Sequence, residues 1–308
     1  MTMNFRKYQG KEDFYRISEF LTEIFDPDDR YGNWLQPRWE YMHSHPCLDE
    51  RWLGRIGIWE DGGRIRAVAN YESTLGEAYF SIHPDYSQLR EEMLQYAEEA
   101  LHGTSDKHPG RKHLTLYISD KDHELEALAK SKGYVRNDGF PQYDSVSRLT
   151  IPDPFPEIMI PEGYHLKSLA EDNDLHKINR VLWRGFGHEG EPPEEEIEGR
   201  KKMQSAPSFR KELTIVVEAP DGNFVSFSGT WFDPVNRIAV VEPVATDPDH
   251  RRKGLGKAAV LEGIRRCGAL GATDAYVGSA QPFYLDMGFK PVYGYYPWVR
   301  YLDEEKMP

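Results

Sequence analysis

The sequence predicts a mixed α/β protein (α+β, with a mixed sheet) made of two tandem copies of one unit. Three observations lead there. Residues 150–161 read TIPDPFPEIMIP, with prolines at 152, 154, 156 and 161. Proline lacks an N–H and stiffens the chain, so this stretch reads as a connector between folded units. The segments on either side run through the same order of strand-like and helix-like patterns. Landmarks recur at similar offsets: Gly62 with Gly222, Pro84 with Pro248, Gly133 with Gly288. Such a repeat places the units at 1–151 and 157–308. At about 100–200 residues per domain, 308 residues also suggest about two domains.

The first half opens with a short strand, NFRKY. An amphipathic helix follows, with Phe14, Ile17, Phe20, Leu21 and Ile24 at helical spacing. RIGIWEDGGRIRAVANYES gives two alternating runs around Asp61-Gly62-Gly63, a hairpin signal. Then come a strand (EAYFSI), a polar turn (HPDYSQ), a helix (LREEMLQYAEEALH), a strand (HLTLYIS) and a helix (HELEALAKSKGY). The second half repeats this. YHLKSL is a strand and DLHKINRVLWRGF a helix, with Leu175, Ile178 and Leu182 on one face. LTIVVEAPDGNFVSFSGTWF is a hairpin around Asp221-Gly222, and RIAVVEPVAT a strand. DPDHRRK is a turn, GLGKAAVLEGIRRCGAL a helix, ATDAYVGS a strand and QPFYLDMGFK a short helix. PVYGYYPWVRYL closes the chain as a last strand or pair.

Hydrophobic residues make up 39% of the chain, enough to fill cores and to exclude wholesale disorder. Lys+Arg is 38 and Asp+Glu 51, a net charge of −13. That argues against nucleic acid or an anionic membrane as partner, since both need a basic footprint. Two cysteines, Cys47 and Cys267, exclude a disulfide framework and a Cys-rich zinc site. The N-terminus lacks the apolar core of a secretory signal, and no run approaches 18 apolar residues. The expected setting is the cytoplasm, as a monomer or homodimer. No metal is expected; His43-Ser-His-Pro-Cys47 offers alternate ligand types but no evident fourth ligand.

The most specific stretch is Thr246-Asp-Pro-Asp-His-Arg-Arg-Lys-Gly-Leu-Gly256. A buried strand ends, a polar turn follows, and a helix begins at two glycines. The first amides of a helix have no intrahelical acceptor, and with the helix dipole they attract anions. Gly254 and Gly256 let a diphosphate approach the backbone, and Arg251, Arg252 and Lys253 add positive charge. A P-loop fails, because Gly256-Lys257 is followed by Ala258. A dinucleotide fingerprint is formally matched by Gly254, Gly256 and Ala259, but a charged turn separates it from its strand.

Arg251-x-x-Gly254-x-Gly256 resembles the [QR]-x-x-G-x-[GA] motif of the GNAT superfamily of acyl-CoA-dependent N-acyltransferases. VATDPDHRRKGLGKAAV resembles that family's strand–turn–helix motif, and SAQPFYLDMGFKPV its second motif, about 30 residues on. The resemblance covers 163–308. It implies acetyl-CoA as co-substrate. The amides of residues 252–256 would bind the diphosphate, within a cofactor-binding stretch of Arg251, Arg252, Lys253, Gly254, Leu255, Gly256 and Lys257. The backbone of Val244 and Thr246 would hold the pantetheine arm, and Ser279 would orient it. Tyr284 matches the tyrosine that protonates the departing thiolate. Glu242 falls where relatives carry a general base, often acting through water. Independently, a carboxylate in the apolar run Val240-Val241-Glu242-Pro243-Val244 is unusual, and burial would raise its pKa toward a useful value. Strand alternation puts Glu242 and Val244 on one face. His188 is a second base candidate.

The segment 187–198 would cover the acceptor. It carries glutamates at 189, 191, 194, 195, 196 and 198, a candidate funnel for a cationic amine such as a polyamine or a cationic antibiotic. Tyr293, Tyr295, Tyr296 and Trp298 are candidate walls. In the first half, Ser87, Arg90 and Glu92 stand at the positions of Arg251, Gly254 and Gly256, and Ala129 at that of Tyr284. That copy is expected to keep the fold and lack catalysis, a plan resembling tandem GNAT proteins of the mycothiol-synthase kind. The expected function is N-acetyl transfer from acetyl-CoA to a primary amine of a small molecule or peptide, in a ternary complex. The alternatives are a catalytically silent acyl-CoA-binding regulatory module and a nucleotide-dependent oxidoreductase.

Overall fold

A computed structural model describes residues 3–28, 31–105, 110–137, 139 and 145–303. In chain order, the first half carries β1 (Asn4–Lys7), α1 (Lys11–Glu23), α2 (Gln36–Ser44), β2 (Gly57–Asp61), β3 (Arg64–Asn70) and β4 (Glu77–Ile82). α3 (Arg90–Ala100), β5 (Gly103–Thr104), β6 (Lys112–Ser119), α4 (His123–Ser131), β7 (Val135–Arg136) and β8 (Ser145–Thr150) follow. The second half carries β9 (His165–Ser168), α5 (Leu175–Gly185), α6 (Glu196–Gln204), β10 (Ile215–Glu218), β11 (Phe224–Asp233) and β12 (Ile238–Thr246). α7 (Leu255–Ala269), β13 (Asp274–Val277), α8 (Pro282–Leu285) and β14 (Lys290–Tyr301) complete it.

Two compact units form. One takes Met1–Met42, Cys47–Ser145 and Val292–Pro308; the other takes His43–Pro46 and Val146–Pro291. In the first unit the strands run β1-β2-β3-β4-β6-β14; in the second, β9-β10-β11-β12-β13-β8. In each, every pairing is antiparallel except one, β4 with β6 and β12 with β13. The division therefore differs from the sequence boundary at 151/157. The last strand of each half in sequence completes the sheet of the other unit: Tyr295–Tyr301 pair with His113–Ser119, and Ser147–Thr150 with Asp274–Val277. Alternation within a strand says which face is buried, but not which neighbour supplies the hydrogen bonds.

Local chemistry explains the helices. Asp174 caps α5, accepting from the amides of His176 and Lys177 at 2.9 and 3.1 Å. Its buried face is Ile178, Asn179, Val181 and Leu182, with Leu175 half-buried at the first turn. α1 buries Phe14, Ile17, Phe20 and Leu21, the stripe its spacing predicts. α7 is buried almost all round: Leu255, Ala258, Ala259, Val260, Leu261 and Ile264 are all core residues. Gly263 permits its approach to the sheet, since a Cβ there would lie 2.3 Å from Thr230 Oγ1.

Candidate active site

The site grows from the end of β12. Its parallel ladder with β13 lasts only three residues, Ile238–Val240 against Asp274–Tyr276. β12 then continues to Thr246, paired with β11 alone. A bulge interrupts that ladder. Ser228 faces Val244 and Thr230 faces Val241, so Gly229 opposes both Glu242 and Pro243. A Cβ at position 229 would lie 2.3 Å from Glu242 O, so only glycine fits. The bulge also resets the alternation. Val241 and Val244 pack against the same core cluster, so Glu242 and Val244 are not the simple same-face pair that alternation implies.

Beyond the bulge, Asp247 N donates to Val225 O at 2.9 Å. The antiparallel pattern then turns the N–H and C=O groups of Val244 and Thr246 away from β11, toward the side where β13 has diverged. These are the two residues expected to hold a cofactor arm.

A 3₁₀ turn, Pro248–His250, leads to the glycine-rich turn. Asp247 caps it through Asp249 N and is itself buried. Its carboxylate pairs with Arg184, at 2.6 Å to Nε and 3.0 Å to Nη2, and with Arg180 Nη1 at 3.4 Å. Burial alone would raise its pKa; the Arg184 pair wins and holds it below the usual carboxylate range. The backbone then takes positive φ at Arg252 (63°) and Gly254 (80°). Alternating handedness of this kind aims successive N–H groups at one point. The first helical amide with an acceptor is Ala258, on Gly254 O at 3.0 Å. Among the described residues, the chain supplies no acceptor to the amides of 252–257.

The side chains divide by role. Arg251 is exposed, and its guanidinium donates from Nε to Thr246 O at 3.1 Å and from Nη2 to Gly185 O at 2.9 Å, tying the turn to α5. Lys253 reaches Tyr164 Oη at 3.1 Å, and that hydroxyl also meets His250 Nδ1 at 3.1 Å. Arg252 and Lys257 are exposed and make no ion pair among the described residues. Leu255 is buried in the core, leaving only its amide to the site. The two glycines serve different needs. Gly254 supplies the left-handed φ, with nothing near its missing Cβ. A Cβ at Gly256 would lie 2.9 Å from Thr246 Oγ1 and 3.3 Å from Phe283 Cζ, so it permits contact within the protein.

Tyr284, on α8, is half-buried between Phe283 and Phe289, with ring centroids 4.9 and 5.9 Å away. Burial, and then the negative charge of Glu242, push its phenol up to about 12. The fold thus brings Glu242 and Tyr284 within electrostatic range across 42 residues of sequence (284 − 242). Trp231, which the motif reading missed, donates from Nε1 to Glu242 O at 2.9 Å and fixes the bulge. Ser279 is buried, and its hydroxyl accepts from Gln281 N at 3.2 Å at the entry to α8.

Other candidates fare differently. His188 is exposed and stacked on Trp183 at 4.2 Å. Three of the six glutamates meet local cations, Glu191 with Arg180, Glu196 with Arg200 and Glu198 with Lys201, and Glu194 lies 3.8 Å from His176 Nδ1. Tyr293, Tyr295 and Trp298 are buried. Among the described residues no three His, Cys, Asp or Glu side chains cluster to hold a metal, at His43–Cys47 or elsewhere. No described helix is long and apolar enough to cross a membrane.

The equivalent turn of the first unit is built otherwise. Its 3₁₀ turn, Pro84–Leu89, runs straight into α3 with no positive φ. Arg90 is buried, pairing with Asp122 at 3.0 Å and donating to Ser87 O at 3.0 Å. β4 pairs with β3 without a bulge, and Tyr79 stacks on Tyr117 at 4.7 Å where β4 and β6 part.

Comparison with known proteins follows this geometry. Residues 175–289, spanning α5 to the end of the Tyr284 motif, match the acetyltransferase (GNAT) family model. The fold is that of a tandem GNAT-like protein. A tandem GNAT protein from the clavulanic acid biosynthesis pathway superposes with a TM-score of 0.67 at 14% identity, covering 99% of this chain and all of that one. A GCN5-related N-acetyltransferase from Sphaerobacter thermophilus gives 0.63 at 16% identity, covering 97% and 95%. A mycothiol acetyltransferase of Saccharomonospora viridis is 27% identical over 118 residues, 36% of this chain and 39% of that protein. The chain thus spans about two fifths of the length of the curated relative it matches, and the solved structures share its fold.

Proposed function

We propose that the chain is an acetyl-CoA-dependent N-acetyltransferase acting on a primary amine of a small molecule or peptide, by direct transfer in a ternary complex. One observation carries this reading: acceptor-free amides at 252–257 lie at the end of a strand whose outward edge is unpaired, in a unit that also holds Glu242 and Tyr284. These residues fit a diphosphate and an extended amide-bearing arm. The amides and the α7 dipole meet the negative charge, with Arg252 and Lys257 adding to it. The edge groups of Val244 and the N–H of Thr246 meet the arm, while the Thr246 carbonyl is held by Arg251 Nε. Arg251 and Ser279 act by bracing the turn and the entry to α8.

In this mechanism the incoming amine must be neutral, and Glu242, directly or through water, takes the proton. The amine nitrogen attacks the thioester carbonyl. A C–N bond forms, the C–S bond breaks, Tyr284 gives its proton to the sulfur, and the proton that the new amide nitrogen sheds returns to the Tyr284 oxygen. With its pKa held near 12, the phenol is protonated across the physiological range. An oxidoreductase reading is disfavoured, because the Pro248–His250 turn separates the glycines from the strand that a dinucleotide fingerprint requires.

The first copy is proposed to be non-catalytic. Arg90 occupies the turn, and the stacked Tyr79 and Tyr117 stand where the strands part. The acceptor is proposed to be cationic, such as a polyamine or cationic antibiotic. Glu189 and Glu195, which make no ion pair among the described residues, supply the local charge. The setting is proposed to be cytoplasmic. The deciding experiment is thiol release from acetyl-CoA across aminoglycosides, polyamines, and peptides with free N-termini and lysines. Release with one class and not the others identifies the acceptor; no release with any amine overturns the enzyme.

A further inference from the structure

In the first unit β4 ends as β12 does. It pairs with β6 only at Glu77 and Ala78, then runs on to Ile82 against β3 alone. His83 N donates to Arg66 O at 2.8 Å, so the N–H and C=O of Ile82 turn away from β3, as those of Thr246 turn away from β11. Here the chain itself fills the edge. Ile82 N donates to Asn33 Oδ1 at 2.7 Å, and Asn33 Nδ2 donates to Ile82 O at 3.2 Å. One side-chain amide thus satisfies both backbone groups. Gly32 makes room for it, with a φ of 69° and a missing Cβ that would lie 3.1 Å from both Ser119 Cβ and Tyr295 Cε1. The following residues bring in a cation. Arg38, on α2, lies over three rings, 4.5 Å from the Trp34 centroid, 5.0 Å from that of Tyr79 and 5.8 Å from that of Tyr295. Its Nε and Nη2 donate to Glu72 Oε1 and Oε2 at 2.8 and 2.9 Å, and Tyr79 Oη donates to the same carboxylate at 3.1 Å. Trp34 Nε1 is buried with no acceptor among the described residues, so the face of this indole, not its N–H, explains its place.

We propose that the first unit holds a binding site for an organic cation of the guanidinium class, walled by Trp34, Tyr79, Tyr295 and Glu72, which Arg38 occupies as a built-in ligand while Asn33 seals the strand edge. The chemistry is that of cation recognition. Electron-rich ring faces meet the flat guanidinium, and a carboxylate takes its fork through two parallel hydrogen bonds. Arg38 and Glu72 keep 21% and 32% of their side chains exposed, so the site reaches solvent and a small cation can enter once the arginine side chain is gone. The Asn33 amide likewise stands where an incoming chain would have to bond Ile82. This occupancy belongs to the first unit alone and stands whatever the second unit transfers.

The test is chemical rescue on the full chain, read by melting temperature. Arg38→Ala empties the space between the rings and takes from Glu72 the guanidinium it meets, so the melting temperature is expected to fall. Ethylguanidinium, at about ten times its half-saturating concentration, should raise it again by about 2–4 °C. Wild type, whose site is full, should not respond. N-ethylurea has the same shape and no charge, and should give no rise in the variant. Arg38→Ala combined with Glu72→Gln should lose the rescue by ethylguanidinium. If Arg38→Ala is recovered only unfolded, its refolding yield with ethylguanidinium against N-ethylurea gives the same reading. A rise alike in wild type and variant, a rise with N-ethylurea, rescue that survives Glu72→Gln, or no rescue at all overturns the site. The seal is read separately by hydrogen exchange. Asn33→Ala should speed exchange of the Ile82 amide about tenfold or more, and an unchanged rate overturns the role of Asn33.

Discussion

Tyr284 and Glu242 are individually ordinary residues whose meaning comes from each other. The phenol is pushed up to about 12 by burial and then by the Glu242 charge, so it holds its proton through the working range. Tyr284→Phe keeps the ring and removes the proton. Turnover is expected to fall by about 10²-fold or more while the Kd for acetyl-CoA, measured by calorimetry, stays within twofold. Unimpaired turnover would remove Tyr284 from the chemistry. Gly254 makes a different demand. Its φ of 80° is left-handed, so a β-branched side chain there is strained by roughly 1–2 kcal/mol. Gly254→Val should weaken acetyl-CoA binding through the disturbed turn, with little change in the affinity of the amine.

At the scale of elements, the turn before α7 is held from outside by α5. Asp247, buried, takes two hydrogen bonds from Arg184, and Arg184 reaches Asp249 Oδ2 at 2.7 Å. Gly185 closes the same junction, since a Cβ there would lie 2.7 Å from Ala245 Cβ. Asp247→Ala takes from Arg184 its buried partner, leaving it the exposed Asp249 carboxylate, and removes the cap of the 3₁₀ turn. The expected cost is about 2–4 kcal/mol, read by urea unfolding, together with weaker acetyl-CoA binding. A loss of stability with binding intact would separate the brace from the site. The bulge at Gly229 works similarly. It turns Glu242 out of register, and Trp231 pins the carbonyl behind it.

Over the whole molecule, buried phenols set a limit on alkaline stability. Burial raises Tyr8, Tyr96 and Tyr284 to about 12, and Tyr71 and Tyr134 further. In the unfolded chain these groups titrate near 10. Their contribution is fully present below pH 10 and is lost as pH rises through the folded values, because the unfolded chain releases protons that the folded one retains. Melting temperature should therefore drop steeply between pH 10 and 12, and the share of tyrosinate absorbance that belongs to these five buried phenols should appear with unfolding rather than before it. On the acid side, burial works against the charge of Asp13, Glu60, Asp247 and Glu262, and their arginine partners outweigh it. That contribution is present above about pH 4 and is lost as pH falls through the lowered values.

The sequence by itself determined most of the order of elements, though not α2 and α6, together with the repeat and the glycine-rich turn. These depend on local causes: alternation, helical spacing, a glycine at a left-handed φ, and amides at a helix start. Arg251-x-x-Gly254-x-Gly256 needs only neighbours within one turn to declare its shape. Tertiary structure decided what depends on distant partners. The exchange of β8 and β14 was invisible, because a strand's pattern does not name its ladder partner. The bulge opposite Gly229 broke the alternation read for Glu242 and Val244. The carbonyls of Thr246 and Gly185 that Arg251 meets are five and 66 residues away in sequence, so its contacts could not be read from the motif. Hydrogen-bond direction and close approach are fixed only when the chain has folded, so they leave no local mark.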